Sequence, residues 1–184
     1  MSNNSWNQTL ITAPIAGSAL TAAAAASALP PVAKFTFPAN LLKVGDKLRV
    51  SAAGIISCVV TTPGTARFDI RFGSTVVFDT GALNLNVVAK TNVPWKLDVD
   101  MIVRAIGAST SANVWAQGTF SSEAVVGSPL PSAGGNGILN VPVSGLAVSN
   151  GFDSTISNVV DLFFTQTVAT GSMTLQQYEL VYLT

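Results

Sequence analysis

Histidine is absent from this chain of 184 residues, and cysteine occurs once. Without histidine the commonest general base and a favoured zinc ligand are missing, and neither a Ser-His-Asp nor a Cys-His catalytic arrangement can be built. Cys58 has no cysteine partner for an intrachain disulfide, and its mostly apolar setting at residues 55–60 predicts an inert, packed thiol. No Walker, HExxH or GxSxG pattern occurs either. We therefore expect a protein that is not an enzyme and that binds no metal or cofactor.

Charged residues are also scarce. Nine Lys and Arg against nine Asp and Glu make up 10% of the chain, where about 25% is ordinary for soluble domains. The balanced, scattered charges exclude nucleic acid as a partner, because phosphates demand a clustered basic surface. With 48% hydrophobic residues, an isolated monomer would expose more apolar surface than monomers usually tolerate. We therefore expect a permanent homo-oligomer.

The first 33 residues contain no basic residue, since Lys34 is the first Lys or Arg. Residues 13–33 are rich in alanine and resemble the apolar part of a signal peptide, but the basic start of such a peptide is missing. Proline, glycine and hydroxyl residues interrupt the run, which argues against a membrane span. The sequence predicts an N-terminal arm over residues 1–33. Within it, Ala19–Ala28 forms either a short helix that ends at Pro30 or an extended segment along a neighbour.

This arm contains one aromatic residue, Trp6, in an otherwise polar stretch. Because a buried tryptophan is a frequent interface anchor, we expect Trp6 to fill a pocket on another subunit. Apolar residues further along the arm complete the predicted partner interface. They are Leu10, Ile11, Ile15, Leu20 and Leu29.

Period-two alternation dominates the chain from residue 34 to residue 184. Phe35 and Phe37 form an extended run that Pro38 ends, and alternation resumes at Leu48 after a turn at residues 44–47. Strands are predicted at residues 48–61, 66–73, 75–79, 82–88, 94–105, 112–121, 157–168 and 173–183, with edge strands inside 138–148. Hairpin turns are predicted at 62–65, 107–111 and 169–172, and a long Gly- and Pro-rich loop at 127–137. This pattern predicts one all-β domain over residues 34–184, an antiparallel β-sandwich of the jelly-roll type, with an immunoglobulin-like sandwich as the alternative.

The alternation also assigns the tryptophans. Trp95 is in phase with Leu97 and Val99, which favours a core position over a sugar-stacking one. In the next strand the register is open. Either Val114 and its in-phase neighbours or Trp115 and its in-phase neighbours face the core.

Two carboxylates, Asp98 and Asp100, share one face of a predicted strand. In principle they could bind calcium or act as a pair of catalytic carboxylates. The favoured interpretation is a solvated strand face that also carries Lys96 and Arg104, because carboxylates are usually exposed.

Four stretches resemble virion proteins of tailed bacteriophages. They are FTFPANLLKVGDKLRVSAAGIIS (residues 35–57), VVTTPGTARFDIRFGSTVVFDTGAL (59–83), GFDSTISNVVDLFF (151–164) and QQYEL (176–180). The resemblance covers roughly residues 30 to 184 and consists of turn and strand phrases. It implies a jelly-roll decoration, cement or fibre subunit of a phage particle, and such subunits are commonly trimeric.

Two functional hypotheses follow. The leading one is a capsid decoration or cement protein that binds the major capsid protein, or other virion proteins, as a homotrimer. Its location would be the virion, assembled in the host cytoplasm. The alternative is a head or tail fibre domain that binds host surface glycans through the loops at 107–111 and 127–137. Neither hypothesis involves nucleic acid, a membrane or a cofactor.

Overall fold

The computed structural model describes residues 7–59, 62–126 and 137–183. These residues form twelve strands and one short 3-10 helix, Pro31–Ala33. The strands are β1 (Asn7–Thr12), β2 (Ala26–Ser27), β3 (Phe35–Phe37), β4 (Lys47–Cys58), β5 (Thr65–Phe72), β6 (Thr75–Asp79), β7 (Leu83–Asn84), β8 (Lys90–Ala105), β9 (Asn113–Ser122), β10 (Ile138–Val141), β11 (Asn158–Gln166) and β12 (Ser172–Leu183). Trp6, the end of the strand predicted at 48–61 and most of the loop predicted at 127–137 lie outside the described residues.

The strands form two antiparallel sheets. Sheet A has the order β1-β12-β4-β8-β9-β10, and sheet B has the order β2-β11-β5-β6, with β3 also paired to β11 and β7 to β5. The inner faces of the two sheets supply one continuous hydrophobic core. The predicted antiparallel β-sandwich is therefore confirmed.

The predicted strand faces are confirmed as well. Phe68 and Ile70 of β5 are buried, and so are Trp95 and Leu97 of β8. In β9 the open register is decided, because Val114 is buried and Trp115 lies on the outer face of sheet A. Period-two alternation fixes these faces once one side of each strand packs into the core.

An aromatic cluster joins the two sheets at the centre of the core. The ring of Phe68 in sheet B lies 4.8 Å from Trp95 and 5.3 Å from Phe120, both in sheet A, between ring centroids. Phe164, beside Phe68 in sheet B, lies at 5.2 Å. Tilted rings at such separations add favourable contact energy to the buried area. Among these four rings, Phe68 therefore makes the most contacts between the two sheets.

One predicted hairpin is confirmed and two are wrong. The turn at 107–111 joins β8 and β9, which pair with each other. The connections at 62–65 and 169–172 instead cross between sheets, because β4 and β12 belong to sheet A while β5 and β11 belong to sheet B. Turn residues are the same for a hairpin and for a crossing, so the sequence signal did not separate them.

The strand predicted at 82–88 is shorter than expected. Only Leu83–Asn84 (β7) pairs with β5. The side-chain oxygen of Asn86 accepts a hydrogen bond of 2.9 Å from the backbone N–H of Val88. This local turn competes with strand pairing and ends the strand.

The N-terminal arm is the main correction, because residues 7–33 pack along the sandwich instead of projecting from it. β1 pairs with β12 of sheet A, and the backbone N–H groups of Gly17 and Leu20 continue along it, donating to Leu175 (2.9 Å) and Met173 (2.8 Å). The segment then passes to sheet B, where β2 pairs with β11. Residues 7–33 thus close one open side of the sandwich.

Close packing explains why this segment is extended and rich in small residues. A Cβ atom on Gly17 would lie 2.3 Å from the carbonyl oxygen of Ala28, so no other residue fits there without a shift. Ala28, Leu29 and Ala33 are buried in the core. The helix considered for Ala19–Ala28 is therefore wrong, since an extended chain satisfies its backbone groups on strands of both sheets and a helix would not.

A second segment, residues 142–152, closes the opposite side. The N–H of Val143 donates to Thr80 at the end of β6 (3.0 Å), and the N–H of Ser149 donates to Val114 of β9 (2.7 Å). This segment thus satisfies backbone groups beside β6, the edge strand of sheet B, and on β9 of sheet A, which would otherwise be open to other chains.

Cys58 is 3% exposed, and burial raises the pKa of its thiol. We expect it to be unreactive toward a disulfide reagent such as 5,5′-dithiobis(2-nitrobenzoate) in the native state, because the thiolate is both disfavoured and shielded. Full reaction of one thiol is expected in denaturant. Absorbance of the released thiolate measures both. Rapid reaction of the native protein would contradict the packed-thiol prediction.

Candidate functional site

Three neighbouring segments form one end of the sandwich, which we call the loop end. They are residues 38–46, 106–112 and 151–157. Hydrogen bonds hold them together. The N–H of Asn40 donates to Ser154 (2.9 Å) and the N–H of Ser154 donates to Gly107 (2.9 Å), while the N–H of Gly45 connects the first segment to Val103 of β8 (2.9 Å). The loop end is therefore a connected surface and not a set of independent loops.

Asp153 organises the turn at 107–111 within this surface. Its carboxylate accepts hydrogen bonds from the Thr155 hydroxyl (2.6 Å) and from the backbone N–H groups of Ser109 and Thr155 (both 2.8 Å). The bonds to Thr155 and Ser109 lower the pKa of Asp153. In the loop predicted to bind glycans, the backbone N–H of Ser109 is thus already hydrogen-bonded within the protein.

Large apolar side chains stand exposed on the same surface. Val44 is 60% exposed, Ile106 is 47% exposed and Ile156 is 55% exposed. Each lies on a different one of the three linked segments. Exposed apolar side chains grouped in one place mark interaction surfaces. The loop end is therefore the first candidate functional site.

The sequence pattern did not predict these three residues as a site, because period-two alternation assigns strands and not the turns between them. A signal was nevertheless present. Val44 and Ile106 each precede a glycine in a turn, at positions where polar residues are usual. An apolar residue in such a position has no core to face.

The opposite end of the sandwich has its own exposed apolar pair, Val87 (52%) and Val88 (53%). These residues precede β8, whereas Ile106 follows it. Because β8 has 16 residues, the two ends are roughly 50 Å apart at about 3.3 Å per residue. The pair therefore offers a chemically matched control for the loop end.

The residues predicted to bind a partner through the arm occupy different environments. Leu29 is buried in the core of its own chain, and Leu10, Ile11 and Leu20 are half-buried against it. Ile15 is 57% exposed. Partner binding by these residues stays a prediction, with Ile15 the member of these five that presents the most surface.

Asp98 and Asp100 lie on the outer face of sheet A, as expected. Asp98 accepts a hydrogen bond from the Ser51 hydroxyl (2.6 Å) and pairs with Lys96 (2.7 Å), and Asp100 pairs with Arg49 (2.7 Å). The solvated-face interpretation agrees with these pairs. Across residues 7–59, 62–126 and 137–183, no cluster of three or more His, Cys, Asp or Glu has the arrangement of a metal site.

Two buried carboxylates lie on the outer side of sheet B. Asp161 accepts hydrogen bonds from Lys34 (2.6 Å) and Ser27 (2.7 Å). Asp69 pairs with Arg71, whose guanidinium carbon lies 3.7 Å from the centroid of the Phe163 ring. Every charge in this cluster has a partner, so the cluster attaches residues 27–34 to sheet B and serves a structural role.

Comparisons with known proteins place few constraints on this chain. No family model and no curated protein matches it. Among solved structures, the CBM2 module of the evolved Dit protein of Lactobacillus casei BL23 phage J-1 is similar, with 15% identity and a TM-score of 0.33, over 82% of this chain and 68% of that one. This TM-score is too low to assign a function to this chain. In the part of the chain that the structure describes, no helix is long and apolar enough to span a bilayer.

Proposed function

We propose that this chain is a non-enzymatic structural subunit of a tailed-phage virion, acting as a capsid decoration or cement protein. The observation that carries the proposal is the group of exposed apolar side chains at the loop end, in a chain with only 10% charged residues. The resemblance of residues 30–184 to virion proteins supports it. The jelly-roll form of the sandwich is part of the same proposal.

Burial of the loop end supplies the binding energy. Because Val44, Ile106 and Ile156 are already about half buried, covering the rest of each side chain contributes about 1 kcal/mol. Association costs of several kcal/mol offset much of this, so one such contact alone is weak. A trimer that engages several copies of the major capsid protein gains affinity through multivalency. The subunit therefore functions in the virion as an oligomer on a repeating lattice.

The test replaces all three residues together, as Val44→Ser, Ile106→Ser and Ile156→Ser. The native chain should be an oligomer and should sediment with capsids assembled without it. We expect the triple variant to lose at least tenfold in capsid affinity while remaining folded, because the substituted side chains are exposed. Co-sedimentation measures attachment, light scattering measures the oligomer mass, and circular dichroism checks the fold.

The matched control is the double variant Val87→Ser and Val88→Ser, which makes the same chemical change at the opposite end. It should attach like the native chain. Equal loss of attachment in both variants would show that the loop end is not the interface. A native chain that is monomeric and ignores capsids would overturn the proposal.

A second candidate function is a head or tail fibre domain that binds host glycans. One observation favours it. Trp115 lies half-buried on the outer face of sheet A, and the polar side chains of Gln117 and Thr119 follow it on the same strand. This surface is not one of the loops predicted to bind glycans. The loop at 107–111 is hydrogen-bonded within the protein, and most of the loop at 127–137 lies outside the described residues.

A further inference from the structure

An apolar strip crosses the outer face of sheet A. Strand register places Leu183 opposite Lys47, Lys47 opposite Ile102, and Ile102 opposite Trp115, and a further bridge joins Trp115 to Val148. Leu183, Ile102 and Trp115 are half-buried, and Val148 is 55% exposed. The strip therefore presents the half-buried ring of Trp115 between the aliphatic side chains of Ile102 and Val148. Lys47 lies on the other side of Ile102.

The strip lies in a depression of about 420 Å³, whose lining includes Leu183, Ile102 and Trp115. A second depression of about 470 Å³ adjoins it and shares Asp100 and Gln117. Each volume falls within the range of roughly 300–1,000 Å³ that is usual for ligand sites. Together they form a trough along sheet A, which we call the sheet A trough.

Positive charge is concentrated in the first depression. Its lining carries Lys47, Arg49 and Arg104 against the single carboxylate of Asp100, although the whole chain is neutral. Arg49 is paired with Asp100, whereas neither Lys47 nor Arg104 forms an ion pair with any described residue. Two cations without an ion-pair partner among the described residues therefore lie along the strip, Lys47 within it and Arg104 beside Trp115, and they are suited to an anion.

Arg104 lies directly beside the aromatic ring. Its guanidinium carbon is 5.8 Å from the centroid of Trp115, near the outer limit of a cation-π contact. A planar guanidinium can donate two parallel hydrogen bonds to a carboxylate or phosphate. A ligand whose anionic group binds Arg104 would therefore place its adjoining part over the ring of Trp115.

The other half of the trough carries the carboxylates of Asp98 and Asp100, each paired with a cation, together with three uncharged polar side chains. Gln117, Thr119 and Asn140 line the second depression, and all three are exposed. Amide and hydroxyl groups of this kind bond the hydroxyls of a ligand and fix its orientation. The trough thus presents a ring for stacking, cations for an anion, and donors and acceptors for hydroxyls.

We infer that the sheet A trough binds an acidic saccharide, with a sugar ring on Trp115, its carboxylate or phosphate at Arg104 and Lys47, and its hydroxyls along Gln117, Thr119 and Asn140. The inference rests on the second candidate function and deepens it, because it names the ligand class and the surface. Its residues differ from those of the loop end, which adjoins it because Arg104 lies two residues from Ile106 and Lys47 lies three residues from Val44.

The experiment titrates the full chain calorimetrically with matched probes. The acidic probe is a tetrasaccharide of alternating glucuronate and N-acetylglucosamine, and the neutral probe is the tetramer of N-acetylglucosamine. Glucose 6-phosphate against glucose tests phosphate as the source of the charge. We expect at least one acidic probe to bind tenfold or more tightly than its neutral match, and we expect this preference to shrink as salt is raised, because salt screens exposed charges.

Variants separate the parts of the site. The double variant Lys47→Gln and Arg104→Gln should lose the acidic preference, about tenfold in affinity, and should keep its affinity for the neutral probe within about twofold. Trp115→Ser should weaken both probes, while Trp115→Phe retains part of the binding. The control is Lys90→Gln, which removes one positive charge at the far end of β8 and should change neither.

Each other outcome is informative. Equal affinity for acidic and neutral probes would overturn the inference that the ligand is acidic. The second candidate function, glycan binding, would stand. If neither probe binds at millimolar concentration, the inference fails, and silence across a wider glycan panel removes the second candidate function too. Inorganic phosphate binding as tightly as glucose 6-phosphate would show a simple anion site. Dissociation of the native oligomer by Trp115→Ser would show that the strip is an interface between copies.

Discussion

Removal of residues 1–33 is expected to abolish the stable fold. The truncated chain lacks β1, β2 and the buried side chains of Ala28, Leu29 and Ala33, so it exposes the core along one side of the sandwich. It also leaves unpaired the backbone groups of β12 that β1 satisfies. With typical domain stabilities of about 5–15 kcal/mol, a loss of this size leaves little margin. Denaturant unfolding followed by circular dichroism should show no cooperative transition in the truncated chain.

A matched pair of substitutions checks the same conclusion when the truncated chain cannot be purified. Leu29→Ala should lower the free energy of unfolding by about 2–5 kcal/mol, because Leu29 is buried. Ile15→Ala, in the same segment but 57% exposed, should change it by no more than about 0.5 kcal/mol. A truncated chain that unfolds with the native midpoint and slope would show that the N-terminal segment is a free arm after all.

Phe68→Ala is expected to have the largest effect of any single substitution considered for this chain. Phe68 is fully buried and contacts aromatic rings of both sheets. Loss of the ring removes its buried area and leaves a cavity that the paired strands cannot easily fill, at a cost of about 3–5 kcal/mol. Chemical denaturation measures this as a lower midpoint with an unchanged slope.

Phe163→Ala is the control for this prediction. Phe163 pairs in register with Asp69 of β5 but lies half-buried on the outer face of sheet B. Its loss removes the stacked contact with Arg71 and part of the buried area, for roughly 1 kcal/mol. Equal costs at both positions would contradict a core centred on Phe68.

These stability effects separate the scaffold from the candidate interaction surfaces. Val44, Ile106, Ile156, Arg104 and Lys47 are exposed, so their substitution should leave unfolding nearly unchanged. Loss of capsid attachment or of saccharide binding in those variants therefore reports the surface and not the fold.

The positions and faces of the long strands followed from the sequence, whereas β1 and β2 lie in the segment predicted as an arm. In β5 and β8 apolar residues recur at every second position, and one face of each strand is buried as that pattern requires. Such alternation is a local property, since a side chain's face depends only on its place along the strand. The placement of Trp95 in the core followed for the same reason.

Apart from the pairing of β8 with β9, strand partners did not follow, and neither did the candidate surfaces. The crossings after β4 and β11 use ordinary turn residues, and only packing of one sheet on the other decides that they are not hairpins. Trp115, Arg104 and Lys47 lie on three different strands and meet only through register. The predicted hairpin at 107–111 brings the strands of Arg104 and Trp115 together, but the open register left their contact undecided, and the approach of Lys47 depends on the pairing of β4 with β8.

The sequence by itself determined an all-β chain with little charge, a packed thiol and well-defined strand faces, because these depend on composition and on alternation between neighbouring residues. The tertiary structure alone decided that residues 7–33 close the sandwich, that the loop end gathers exposed apolar side chains, and that a charged trough crosses sheet A. These features depend on contacts between residues distant along the chain, and the free energy of those contacts is set by how the two sheets pack.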